Sequence, residues 1–163
     1  MISAGLYYGQ YVSQYDARAL ASRNRDQAAR GSQLLLGVND TAAAARMHLQ
    51  AVPWKGGPGE DTNAFLAWVK THVASSHPVL IGVYENLRLF EDTDDDDAGD
   101  GQYDHIVSVT GVSSTRPVTI PAAYAADDVL TFSDHGLWSP NGQPVSRYRF
   151  AFGAFQATRQ EAN

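Results

Sequence analysis

The sequence predicts an α+β fold, with N-terminal helices packed on a mostly antiparallel β-sheet. Three observations carry the prediction. Helix-forming stretches rich in Ala, Leu and Arg fill the first half of the chain. β-prone runs fill the second half, after Pro78. The strands are joined by loops too short for crossover helices, which favours antiparallel order.

The elements follow in order. Leu6-Tyr7-Tyr8-Gly9-Gln10-Tyr11-Val12 is aromatic and predicts a short strand or extended lead-in. Tyr15 to Arg30 predicts a helix, with Asp16 at its start, where an acidic side chain caps amides and meets the positive end of the dipole. Gly31 is its stop. Asn39 or Asp40 caps a second helix, Thr41 to Leu49. Val52 to Gly59 is a loop, punctuated by Pro and Gly. Asp61 or Thr62 starts a third helix, whose Phe65, Leu66, Trp68, Val69 and Val73 form an apolar face. His77-Pro78 ends it.

Val79-Leu80-Ile81-Gly82-Val83-Tyr84 is a continuous apolar run and predicts a central strand buried on both faces. Asp104 to Val112 alternates and predicts a second strand; Asp128 to Asp134 predicts a third. Pro140-Asn141-Gly142 marks a turn, Arg147 to Phe152 a last strand, and Phe155 to Asn163 a short helix. No repeat or linker divides the chain, so residues 1–163 are expected to form a single domain.

Composition narrows the function classes. Hydrophobic residues at 44% and aromatics at 10% belong to a folded protein and not a disordered one. No apolar run approaches the ~20 residues that span a bilayer. Met-Ile-Ser-Ala-Gly does not read as a signal peptide, while the sequon Asn39-Asp40-Thr41 supports an expectation of secretion. The net charge of -6 resides in one segment: Glu91, Asp92, Asp94 to Asp97 and Asp100 are unbalanced by any base. The remainder is near neutral and has no basic patch, which argues against a nucleic-acid partner. The absence of cysteine excludes disulfides and thiolate chemistry.

The acidic segment has two readings. It is a solvated loop, or Asp94, Asp95, Asp96, Asp97 and Asp100 supply carboxylate oxygens to calcium. It departs from the EF-hand pattern, since with Asp94 in first place Ala98 falls where the fifth ligand belongs. Lys55-Gly56-Gly57-Pro58-Gly59 lacks the Gly-Lys-Ser/Thr ending of a phosphate loop. His48, His72 and His77 lie on or just after helices and read as surface residues.

Four stretches, taken in order, resemble the papain-like cysteine peptidase superfamily, and within it the bacteriocin-processing, double-glycine-leader branch. Gln10-Tyr11-Val12-Ser13-Gln14-Tyr15-Asp16-Ala17 is similar to the segment carrying the oxyanion-hole Gln and the nucleophilic Cys. Asn63 to Val69 followed by His77 to Val83 is similar to the helix and Pro-Val-hydrophobic strand. Asp104 to Gly111 resembles the His strand. Leu130 to Gly136 resembles the strand ending in the orienting Asp.

The resemblance implies a papain-like domain with Gln10, Asp16, His105 and Asp134 at the four site positions. In such a site a thiolate attacks a carbonyl, His holds the proton, Asp or Asn fixes the ring, and Gln stabilises the oxyanion. Asp16 stands where the Cys is expected. A carboxylate is a weak acyl nucleophile, so an ion pair with protonated His105 is the expected behaviour. Ser13, three residues before Asp16, is a poor substitute nucleophile.

The leading expectation is therefore a catalytically impaired peptidase-like protein that keeps a cleft for a peptide or peptide-like ligand. Trp54, Trp138 and Tyr7, Tyr8 and Tyr11 are candidate cleft walls, and Trp68 is a candidate core residue. Two alternatives stand beside it. Asp16, His105 and Asp134 act as general acid/base groups, or with His135 hold a zinc or iron that activates water. Or the chain is a calcium-stabilised structural module.

Overall fold

The computed structural model describes residues 1–21, 34–56, 62–83, 105–133 and 147–154, with His105 described by its backbone alone. The chain forms two compact units, one up to Lys55 and one from Gly56 onward.

The first unit holds three helices: α1 (Ile2–Tyr7), α2 (Gln14–Ala21) and α3 (Asp40–Arg46). The extended lead-in expected over Leu6–Val12 is replaced by α1 and a turn. The reason lies in the helix end. Gln10 N–H donates to Gly5 O at 2.8 Å and Gly9 N–H to Leu6 O at 3.0 Å. These are the two bonds of a Schellman motif, which needs a left-handed residue. Gly9 supplies it at φ 76°, with no Cβ penalty. Aromatic β propensity in Tyr7 and Tyr8 is overridden by this local closure. Gly5 is buried, and a Cβ there would meet Met47 Cε at 2.7 Å, so α1 and the end of α3 are in close contact.

α2 and α3 pack through small side chains. Ala17, Ala21 and Ala43 are buried, as are Leu36 and Met47. The Arg46 guanidinium donates to the Leu20 carbonyl near the end of α2. Asn39 occupies the N-cap position of α3, but its side-chain oxygen accepts from Leu35 N–H at 2.8 Å and makes no cap bond to the helix.

The second unit places α4 (Thr62–Ala74) against an antiparallel sheet of β1 (Val79–Val83), β2 (His105–Ser113), β3 (Val129–Ser133) and β4 (Tyr148–Ala151), in the order β1-β2-β3-β4. A 3-10 turn, Phe152–Ala154, follows. All three pairings are antiparallel, as expected from the loops. β1 departs from its expected central place: among the described residues it is an edge strand. Its Val79 and Ile81 are buried and Leu80 and Gly82 only partly so. An apolar run of five residues is equally compatible with a strand that has one well-covered face.

The core joins Phe65, Leu66 and Val69 of α4 to Val79, Ile81, Val107, Val109, Leu130 and Phe132 of the sheet. Phe132 stacks on Tyr148 opposite it at 5.3 Å and on Phe150 at 5.7 Å. Such cross-strand aromatic pairs hold β4 to β3.

The register of β2 against β3 shifts between Val109 and Gly111. Val109 faces Phe132 and Gly111 faces Thr131, so Thr110 has no partner of its own. Its hydroxyl donates to the Thr131 carbonyl at 3.2 Å. This is a β-bulge, the usual device for bending a strand.

Candidate functional site

Gln10 follows the Schellman turn of α1, and its side-chain amide donates to Met47 O at 2.7 Å. Met47 is the C-cap of α3, one of the carbonyls that a helix leaves without an internal partner. Gln10 thus closes the end of α3. Of the two N–H groups on its amide, one is engaged there.

Asp16 lies in the first turn of α2 and is exposed. Its Oδ2 accepts from Ser13 Oγ at 2.6 Å and from Ser13 N–H at 3.3 Å, while Asp16 N–H donates to Ser13 Oγ at 3.0 Å. This reciprocal pair is a capping box. Ser13 takes the capping role that the sequence suggested for Asp16, and Asp16 completes the box from the third helical position. Ser13-Gln14-Tyr15-Asp16 carries that signal openly in the sequence, as Ser-x-x-Asp with Asp in place of the more usual Glu.

His105 opens β2 and pairs with Val83 across the ladder. β3 ends at Ser133, opposite Ser108, so the start of β2 and the end of β3 lie at one end of the sheet. Asp134 lies outside the described residues, as do His135, Trp138 and the whole acidic segment with Asp94, Asp95, Asp96, Asp97 and Asp100. Gln10 and Asp16 belong to the first unit and His105 to the second. Among the described residues, no group of three or more His, Cys, Asp or Glu is arranged to hold a metal ion. No helix among them is long and apolar enough to cross a membrane.

Sequence reasoning missed a charged pair in the core. Lys70 Nζ meets Asp128 Oδ2 at 2.5 Å and also donates to Ala123 O at 3.2 Å and Ser114 Oγ at 3.4 Å. All three ammonium protons have acceptors, which is what makes a buried cation tolerable. Asp128 Oδ1 has no partner among the described residues. Next to Lys70, the Thr71 hydroxyl donates to Ala67 O at 2.8 Å and accepts from Ala122 N–H at 2.8 Å. Lys70 and Thr71 together bind the β2–β3 connection to α4. At its base, the exposed Arg116 and Asp127 pair at 2.6 Å. That hydrogen bond to Arg116, helped by Thr115, holds the Asp127 carboxyl below its ordinary range.

An aromatic row runs along α4. Phe65 stacks on Trp68, Trp68 meets His72 at 4.5 Å between ring centres, and His72 meets His77 at 5.7 Å. His77 is exposed, as expected, whereas His72 is half-buried. Burial, and then the charge of His77, push the His72 pKa below the ordinary histidine value.

No protein-family model, curated protein or solved structure matches the chain.

Proposed function

We propose that the chain is a papain-like domain without thiol chemistry, a binding protein for a peptide or peptide-like ligand. The observation that carries this reading is Asp16 in the first turn of α2, in a chain without cysteine. A helix N-terminus is where a thiolate gains from the dipole, and an Asp there retains the charge without the nucleophile. The order of elements supports the reading too: His105 begins the strand after β1, and β3 ends immediately before Asp134. Gln10 and Asp16 also have clear structural duties, closing α3 and capping α2, and a binding role adds to those duties.

The test is Asp16→Cys, made alone and together with His105→Ala. In a site of this type the new thiol ionises readily beside His105 and alkylates rapidly near neutral pH, and His105→Ala slows it by about tenfold or more. The helix dipole alone accelerates alkylation in both proteins equally. Equal rates with and without His105 would therefore end this reading.

A further inference from the structure

We propose that His72 and His77 form a two-imidazole binding site for a divalent transition metal at the C-terminal end of α4. The two rings are 5.7 Å apart, centre to centre. With a metal–nitrogen bond of about 2.1 Å, a shared ion lies roughly 3.2 Å from each ring centre. Two rings meeting at a near-tetrahedral to somewhat wider angle are then about 5–6 Å apart, which is the separation observed.

The backbone fixes this spacing. His77 N–H donates to His72 O at 2.9 Å and Ser76 N–H to Val73 O at 3.0 Å. Ser76 is left-handed at φ 61°. The helix therefore ends in a Schellman motif that returns His77 to the turn carrying His72. The Trp68 ring, 4.5 Å from His72, supports one side of the pair. His77 is exposed, so an ion reaches its ring from solvent.

Imidazole nitrogens suit zinc, and the wide angle between the rings fits a tetrahedral ion such as zinc or cobalt(II) better than square-planar copper or nickel; calcium and magnesium prefer oxygen. No third His, Cys, Asp or Glu joins the pair among the described residues. The site is independent of the peptide-binding reading, because neither histidine belongs to the residues invoked there.

Cobalt(II), a paramagnetic ion that takes zinc's tetrahedral geometry, titrated into the whole chain and followed by NMR of the histidine rings, tests it. Paramagnetic broadening should appear first at His72 and His77, at one equivalent of metal. His72→Gln and His77→Gln should each weaken that binding by about tenfold or more, or about 1.4 kcal/mol. His77 is exposed, so its replacement leaves the fold intact and keeps the test decisive. Cobalt(II) affinity unchanged in both variants, broadening centred on other histidines, or no binding at all would each overturn the proposal.

Discussion

Lys70 and Asp128 form an ion pair inside the second unit, their side chains 5% and 0% exposed and their charged atoms 2.5 Å apart. One charge comes from the middle of α4 and the other from the residue preceding β3. The pair therefore ties the helix to the start of a strand 58 residues away in sequence.

Removing one member leaves the other charged and buried. Lys70→Met should cost about 3–5 kcal/mol of unfolding free energy. Replacing both, as Lys70→Met with Asp128→Leu, should recover most of that loss, since an apolar pair needs no solvation. Urea denaturation measures both. A single variant that loses less than about 1 kcal/mol would show that water reaches the pair.

The capping box at α2 makes a smaller, separable prediction. Ser13→Ala removes the acceptor for Asp16 N–H and should cost about 1 kcal/mol. Asp16→Ala should cost less, and the double variant less than the sum of the two, because each side chain supports the other. Strict additivity in a double-mutant cycle would mean the two side chains act independently.

Two helices end on left-handed residues that are not glycine, His48 at φ 56° and Ser76 at φ 61°. A side chain in that region costs roughly 1 kcal/mol. His48→Gly and Ser76→Gly should therefore each raise the melting temperature, while the matching Ala variants should not. A fall on glycine substitution would mean that these side chains make contacts worth more than the backbone strain.

His72 should titrate below 6.5, the ordinary histidine value, because burial and His77 disfavour its charge. The sign follows from linkage. The unfolded chain binds the proton more readily, so stability is complete above about pH 6.5 and falls as pH drops through the folded pKa. Ring proton shifts followed against pH give the midpoint directly. A midpoint above 6.5 would mean that the dipole at the end of α4 outweighs burial.

The sheet and α4 were legible because their patterns are local. Val79, Ile81, Val107, Val109, Leu130 and Phe132 are buried members of apolar runs, and their strands fall within a residue or two of the expected bounds. α1 was not legible. Its aromatic residues favour strand, and only the Gly5–Gly9–Gln10 closure makes the helix. Lys70 was half-legible: Thr62, Phe65, Leu66, Val69 and Lys70 are all buried on α4 at helical spacing, so a lysine stands in the core stripe. Its partner could not be found from pattern, because Asp128 is distant in sequence. Of the four residues that the peptidase resemblance assigns, Gln10 and Asp16 have visible local roles, and for Asp16 the helix start and the Ser-x-x-Asp box are both present in the sequence.

The unpaired Thr110 gives β2 an unusual tolerance to change in length. Before it, the inward side chains are the odd-numbered Val107 and Val109; after it, the even-numbered Val112 pairs with the buried Leu130. Deleting a residue elsewhere in the strand would turn one portion inside out. Deleting Thr110 would leave Val109 opposite Phe132 and Gly111 opposite Thr131, with every existing partnership intact. β1 is not disturbed either, since its pairing stops at Val109. Length variation in this strand would therefore be absorbed at a single position, as a straighter or more curved sheet over the same inward-facing side chains.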